Sequence, residues 1–214
     1  MQLTRDQVQQ LFEFTEKKFV KYYDLQVELV DHLAERIEEK MNADASLDFD
    51  KAVQTVYKDF GIFGFSKIVQ EKSEQLRKQN NKRLYNEIKN LFRLPEVIFS
   101  AVLGLLIWTT VSYIDKMFLD MLIVSFILIS VAMVIRIRVK NKPGKKIMML
   151  ENMPDHLGLF PFIYQFVFFK ELLPYSNFAY ALFIFSAVIF QIACFRIGKK
   201  LRQEARTNYP AAFT

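Results

Sequence analysis

The sequence predicts an all-α protein in which a small cytoplasmic helical domain precedes a four-helix transmembrane bundle. Two observations carry this prediction. Residues 1–93 show short amphipathic patterns and balance 16 Lys+Arg against 16 Asp+Glu, whereas residues 94–214 contain long apolar runs. The second observation is an acid-free basic cluster between two of those runs: Arg136, Arg138, Lys140, Lys142, Lys145 and Lys146.

The predicted cytoplasmic domain spans residues 1–78. Apolar residues recur at helical spacing in segments 4–20, 24–41 and 49–60, and a longer helix is expected after Gly64. Phe19 falls on the apolar side of the first segment. Asp24 is a candidate N-cap of the second helix, and Gly61 is placed to end the third helix in a left-handed turn.

Residues 79–93 form a predicted basic amphipathic connector. The polar stretch 79–83 interrupts the apolar pattern and predicts a joint, after which an apolar stripe resumes at residue 84. Arg83, Lys89 and Arg93 are positioned to meet anionic lipid headgroups. The connector either lies on the inner leaflet or continues stiffly into the first span.

Four spans are predicted within residues 94–199, at 94–113, 118–137, 154–173 and 177–197. Each has about 20 residues, enough to cross ~30 Å of hydrocarbon. Lys and Arg in short loops stay on the cytoplasmic side, and basic residues occur both at 136–146 and at 196–206. An even number of spans must therefore separate these groups, which places both termini, including the tail 200–214, in the cytoplasm.

Polar residues occur both at the ends of the predicted spans and within them. Arg136, Arg138, Lys145 and Lys146 are expected at the membrane interface. Gln165 and Gln191 are amides in the middle of predicted spans, and two roles are open for them. They either hydrogen-bond a neighbouring helix, which can belong to a second copy of the chain in a homo-oligomer, or line a substrate site.

Two further features concern the third and fourth spans. Glu151, Asp155 and His156 are either acids at a helix N-terminus or a proton- or metal-sensing cluster. The single cysteine, Cys194, excludes a disulfide within the chain and is expected to be buried.

Glu28, Asp31, His32 and Glu35 share one helical face and form the main candidate site. They suit either a metal or acid/base cluster, or a structural arrangement in which His32 packs at the edge of the core between Glu28 and Arg36. The same four residues are the candidate surface for binding a protein partner. No second His or Cys nearby completes a metal site, so no metal and no cofactor are predicted. Residues 1–60 hold 8 basic and 13 acidic residues, which argues against direct binding of nucleic acid.

Residues 28–61 carry the pattern Glu-Leu-x-Asp-His-Leu-x-Glu, a short loop, Asp-x-Ala-Val, and a closing Phe-Gly. This pattern resembles the bacterial HTH-associated α-helical signalling domain, the related permease-prefix domains, and DUF1700-like membrane proteins of unknown function. The loop lacks the usual Gly before its Ser, and IFGFSKI follows Gly61 where relatives often have an Asp-Pro-Glu turn. The resemblance implies a non-enzymatic cytoplasmic module, in such families associated with PadR-type transcription regulators.

The sequence therefore predicts a multi-pass protein of the bacterial cytoplasmic membrane that regulates or signals by contact with a cytoplasmic protein. An alternative is a small transport, channel or membrane-complex assembly subunit. A third hypothesis, a membrane enzyme acting on lipids, would require Glu151, Asp155 or His156. No catalytic motif is present in the sequence, and the predicted function is not enzymatic.

Overall fold

The computed structural model describes residues 2–44, 46–115, 117–121, 143–153 and 177–213, with a few isolated positions between 124 and 135. These residues form helices and turns, and no strand occurs among them, so the all-α prediction is confirmed. The chain divides into two compact units. The head unit comprises Met1–Leu76, Pro143–Asn152 and Ala205–Thr214, and the span unit comprises Arg77–Lys142 and Met153–Glu204.

The helices are labelled here in chain order. They are α1 (Arg5–Lys17), α2 (Tyr23–Ala43), α3 (Phe49–Lys58), α4 (Ser66–Leu91), α5 (Glu96–Tyr113), α6 (Met148–Glu151) and α7 (Asn177–Asn208). Residues 117–121 are also helical, and a 3₁₀ turn, Pro210–Ala212, follows α7.

The core of the head unit lies between α1, α2 and α3. Thr4 and Gln7 form a capping box that fixes the start of α1. The apolar residues of α2 recur every three or four positions, so they point to one side and are removed from water. The buried residues of this core are Leu11, Val20, Leu25, Leu29, Val30, Leu33, Ile37, Phe49, Ala52, Val53, Val56, Phe65 and Met148.

Two of the local sequence predictions in the head are wrong and one is confirmed. α1 ends at Lys17, and Phe19 lies beyond it with a φ of 67° and 80% of its surface exposed, so it is not part of the apolar side of α1. The N-cap of α2 is Tyr22, and Asp24 lies inside the helix. Gly61 has a φ of 71°, as expected for a left-handed turn after α3.

Helix α4 is longer than the sequence predicts. It runs without a break from Ser66 to Leu91, through residues 79–83 where a joint is expected. The chain passes from the head unit to the span unit within this helix, between Leu76 and Arg77. It returns within α7, between Glu204 and Ala205.

Two helices among the described residues are long and apolar enough to cross a membrane, Glu96–Tyr113 and Asn177–Asn208. These correspond to the first and fourth predicted spans. The described residues thus contain two such helices and not the four of the predicted bundle. The second predicted span is described only in part, and the third lies outside the described residues.

Small side chains allow close contacts within the span unit. The Ser100 hydroxyl donates a hydrogen bond of 2.7 Å to the carbonyl oxygen of Leu91, which joins the start of α5 to the end of α4. A Cβ atom on Gly104 would lie 3.6 Å from the ring of Phe185, so α5 approaches α7 closely there. Leu91 is fully buried and packs with Ile189 and Ala193 of α7.

Candidate interaction surface of the head unit

Asp24 joins α2 to the short helix α6, which follows the predicted second span. Its Oδ1 accepts the N–H of Met148 at 2.8 Å, and its Oδ2 accepts the N–H of Met149 at 3.0 Å. The first N–H groups of a helix have no partner within it, and a carboxylate also complements the helix dipole. Asp24 is only 7% exposed, so this contact holds α6 against the head core.

Tyr23 and Tyr209 extend the same junction. The N–H of Tyr23 donates to the carbonyl oxygen of Lys146 at 2.8 Å, and the Lys145 Nζ lies 4.3 Å from the centre of the Tyr23 ring. The Tyr209 ring meets that of Tyr23 edge-on, with centroids 6.5 Å apart. The N–H of Lys145 also donates to the carbonyl oxygen of Ala212, so the C-terminal segment belongs to the same junction.

Two tyrosines of the head unit titrate above their ordinary range. Burial raises the pKa of Tyr22, and a hydrogen bond to the Glu151 carboxylate raises it further. Burial also raises the pKa of Tyr209, with a further contribution from the negative charges of Asp24 and Glu28. Both hydroxyls are therefore held neutral in this part of the head.

The outer face of α2 contains the predicted partner-binding residues. The side chains of Asp31, His32 and Glu35 are exposed and make no hydrogen bond or ion pair with the described residues. His32 is thus not packed at the edge of the core, contrary to that interpretation of the sequence. Arg36 pairs with Asp59 at 2.7 Å, which ties this face of α2 to the end of α3.

Glu28 differs from the other three candidates because it is already paired. Its Oε1 and Oε2 accept hydrogen bonds from the Lys72 Nζ at 2.8 and 2.5 Å, which joins α2 to α4. The surface available to a partner on α2 therefore consists of Asp31, His32 and Glu35. Among the described residues, no group of three or more His, Cys, Asp and Glu side chains is arranged to hold a metal ion.

The predicted connector packs against α7 within the span unit. Glu87 is 7% exposed, and its carboxylate lies 2.9 Å from the Lys200 Nζ and 3.6 Å from Arg196. Arg196 also pairs with Glu96 at the start of α5, at 3.1 Å. One buried carboxylate thus holds the end of α4 to two cations of α7, and one of these reaches α5.

The predicted membrane-interface residues have different surroundings. Arg83 pairs with Glu204 at 2.8 Å, whereas Lys89 and Arg93 are exposed. Lys145 and Lys146 are exposed residues of the head unit. Four further predicted residues lie outside the described part of the chain: Arg136, Arg138, Asp155 and His156.

The intramembrane polar residues are described in part. Gln191 is half-buried in α7, and Gln165 lies outside the described residues. Cys194 is buried, as the sequence predicts. Asp120, near the start of the second predicted span, is half-buried and accepts a hydrogen bond from the Tyr180 hydroxyl at 3.0 Å.

Sequence reasoning missed Asp24 and Glu87 as residues that join distant segments. The signal for Glu87 was available, because an acid stands in the apolar stripe between Leu84, Ile88 and Leu91.

Comparison with protein-family models, with curated proteins and with solved structures gave no match.

Proposed function

We propose that this chain is a four-span protein of the bacterial cytoplasmic membrane whose head unit regulates or signals by binding a cytoplasmic protein. The exposure of the apolar helices supports the membrane location. Only 17% of the apolar window of α5 and 39% of that of α7 is buried, whereas the core helix of a soluble protein is mostly buried. Ile98 and Leu105, for example, are 61% and 64% exposed on α5.

The topology is inferred from which segments of the chain make up the head unit. The N-terminal helices, residues 143–152 and residues 205–214 belong to one compact unit. We infer that this unit lies on one side of the bilayer, so that the chain crosses an even number of times in each interval between these segments. If α5 and α7 each supply one crossing, each interval contains one more, which supports four spans.

The exposed row on α2 supports contact with a basic protein. Asp31 and Glu35 are one helical turn apart and engage no described residue, so a partner would not have to break an internal contact to reach them. Complementary charge speeds association and selects among partners. On the basis of the resemblance to signalling domains, we propose a PadR-type regulator as that partner.

The contact between α4 and α7 offers a route from the membrane to the head. A change in the membrane that shifts α7 would move Arg196 and Lys200, and the buried Glu87 would have to follow them. Because α4 is one continuous helix, a displacement at Glu87 can be passed along it to residues of the head unit. The proposed mechanism is that this displacement changes access to the α2 surface.

The test is co-purification of the full chain from native membranes with and without a charge reversal of the α2 surface. Asp31→Lys with Glu35→Lys should abolish recovery of the partner and leave membrane insertion unchanged. Glu71→Lys with Glu74→Lys is the matched control, because it makes the same change in charge at exposed positions of α4. Equal recovery of the partner with both double variants would contradict the proposal.

Point variants are preferable to deletion of residues 1–78. The deletion would remove Asp24 and the core against which α6 and the C-terminal segment pack. Loss of binding could then follow from unfolding alone. Charge reversal on an exposed helical face avoids this ambiguity, because such substitutions usually change stability by no more than about 0.5 kcal/mol.

A second candidate function is a transport, channel or assembly subunit. The hydrogen bond between Asp120 and Tyr180 favours it, because acids within predicted spans often mark ion pathways. The test is ion flux into liposomes that contain the purified protein. Flux that Asp120→Asn abolishes would support this candidate over the signalling proposal.

A further inference from the structure

A polar cleft of about 380 Å³ opens in the head unit beside the junction of α2 and α6. Its lining includes Glu13 and Glu16 of α1. Lys21, Lys145 and Lys146 also line it. The volume lies within the range of ligand pockets, and all of the lining residues belong to the head unit.

The charges that line the cleft do not neutralise one another. Among the described residues, no ion pair joins Glu13 or Glu16 to any of the three lysines. The two carboxylates are only three positions apart on α1, so they lie on the same side of that helix. The cleft therefore presents two carboxylates and three ammonium groups that remain available to a ligand.

Two aromatic rings line the cleft, and one of them contacts a lysine. The rings of Phe12 and Tyr23 are nearly parallel, with an interplanar angle of 18° and centroids 6.2 Å apart. The Lys145 Nζ lies 4.3 Å from the centre of the Tyr23 ring. This contact holds an ammonium group in the cleft before a ligand arrives, which reduces the entropy lost on binding.

We propose that this cleft binds a compound that carries both a phosphate and an ammonium group. The phosphate would contact Lys21, Lys145 and Lys146, and the ammonium would contact Glu13 and Glu16. Three lysines and two glutamates leave one net positive charge, which matches a phosphate dianion joined to one ammonium. A simple anion fits less well because the two carboxylates would repel it.

The ligand is a soluble phosphorylated amine or the headgroup of an aminophospholipid, since both join a phosphate to an ammonium group. The phosphodiester of the headgroup carries one negative charge fewer, so the charge match favours the soluble monoester. The proposal goes beyond protein–protein contact and uses none of the α2 surface residues. Loss of partner binding after charge reversal at Asp31 and Glu35 would leave it unaffected. Failure of one proposal can therefore be distinguished from failure of the other.

The first experiment is calorimetric titration of the full chain in phosphatidylcholine nanodiscs with phosphoethanolamine. We expect saturable binding that is about tenfold tighter than for inorganic phosphate, because the ammonium adds contacts to the carboxylates. Absence of saturable binding would overturn the proposal. Equal affinity for phosphoethanolamine and inorganic phosphate would overturn the assignment of Glu13 and Glu16 as the contacts of the ammonium group.

Nanodiscs that contain phosphatidylethanolamine distinguish the two sources of the ligand. If the headgroup occupies the cleft, the soluble probe should no longer bind in these discs. If the ligand is soluble, the probe should bind equally in both lipid compositions. Either result supports the recognition chemistry and identifies its source.

Three matched double variants test the residues. Lys21→Gln with Lys146→Gln should weaken binding of both probes by about tenfold or more. Glu13→Gln with Glu16→Gln should weaken phosphoethanolamine only and leave inorganic phosphate as tight or tighter. Lys51→Gln with Lys58→Gln, at exposed positions of α3, should change neither. Equal losses in all three would overturn the proposal, and circular dichroism verifies that each variant is folded.

Discussion

The Asp24 carboxylate and the backbone N–H of Met148 form a hydrogen bond of 2.8 Å across a separation of 124 positions in the sequence. Met149 donates to the second carboxylate oxygen. Both donors begin α6, a helix of four residues that is too short to be stable on its own. The position of α6 on the head therefore depends on contacts with the head, among them this carboxylate, the burial of Met148 in the head core and the hydrogen bond between Tyr22 and Glu151.

Replacing Asp24 should release α6 selectively. Asp24→Ala removes the acceptors of two N–H groups, and leaving a buried donor unsatisfied costs about 1–3 kcal/mol. Asp24→Asn keeps one carbonyl acceptor and should have a smaller effect. Hydrogen exchange of the full chain, followed by mass spectrometry, should show faster exchange at Met148 and Met149.

The matched control for this prediction is Asp31→Ala, which removes an exposed carboxylate from the same helix. Exchange at residues 148–149 should be unchanged in that variant. Protection at these amides that survives Asp24→Ala would show that the other contacts of α6, such as the packing of Met148 and the hydrogen bond between Tyr22 and Glu151, hold it without Asp24.

Removing the negative charge of Glu87 and removing the two positive charges beside it should lower the stability of the protein by different amounts. Glu87→Gln leaves Lys200 and Arg196 exposed enough to be hydrated, with 64% and 35% of their side chains accessible. Lys200→Gln with Arg196→Gln instead leaves a buried carboxylate without a cation, which costs about 3–5 kcal/mol in typical proteins. Thermal unfolding in one detergent should therefore show the larger loss for the double variant.

The control for Glu87 is Arg83→Gln, which breaks the exposed pair with Glu204. Exposed pairs contribute about 0–1 kcal/mol, so this variant should remain close to the original protein. Similar losses in stability for Arg83→Gln and for the double variant would mean that burial of Glu87 is unimportant.

The sequence predicts the core of the head well where periodicity is the signal. Leu25, Leu29, Leu33 and Ile37 recur every four positions and are all buried in α2. Gly61 also adopts the predicted conformation, because a left-handed turn at the end of a helix favours glycine locally. Both are properties of a short stretch of chain, so no distant contact was needed to predict them.

The sequence fails where a distant segment decides the structure. Asp24 has the residue type and position of an N-cap for α2, but its carboxylate caps α6 instead. Nothing near Asp24 in the sequence encodes that partner. The predicted joint at 79–83 is helical because the polar side chains there (Gln, Asn, Lys and Arg) do not oppose helix formation. The distant contact of Leu91 with α7 also stabilises the helix that contains these residues.

The sequence predicts a polar face on α2, and the structure changes which residues of that face are available to a partner. The exposure of Asp31 and Glu35 agrees with the polar face expected of α2. Glu28 belongs to the same face by spacing, yet Lys72 of α4 reaches it. The direction of α4 relative to α2 is a tertiary property that helical periodicity does not contain.

The stability of the head unit should fall above about pH 10, the ordinary pKa of tyrosine. The folded-state pKa values of Tyr22 and Tyr209 are raised. Their contribution to stability is thus present in full below the unfolded-state pKa and is lost as pH rises through the folded-state pKa. The apparent Tm between pH 8 and 11 should decline less steeply in Tyr22→Phe with Tyr209→Phe.

Lysine deprotonation adds a background to this alkaline decline, so the comparison uses slopes. Tyr85→Phe, at an exposed tyrosine of α4, serves as the control and should keep the slope of the original protein. Identical slopes for the double variant and the original protein would exclude the two tyrosines as the cause.

The topology of the chain can be tested by labelling single cysteines. Cys194 is replaced by alanine, and a cysteine is introduced at Ser46, Gly144, Asn208 or Tyr113. The first three positions belong to the head unit, whereas Tyr113 ends α5 and is 90% exposed. We expect a membrane-impermeant maleimide to label the first three only in inverted vesicles and Tyr113→Cys only in intact spheroplasts.

The decisive position in this experiment is Gly144. Ser46 and Asn208 would share a side of the membrane with any even total number of spans, including two. Labelling of Gly144→Cys on that same side requires an even number of crossings both before and after it, and each interval already contains one membrane-length helix. Labelling of Gly144→Cys from outside the cell would contradict both the four-span topology and the placement of α6 on the head, because Asp24 could not then reach Met148.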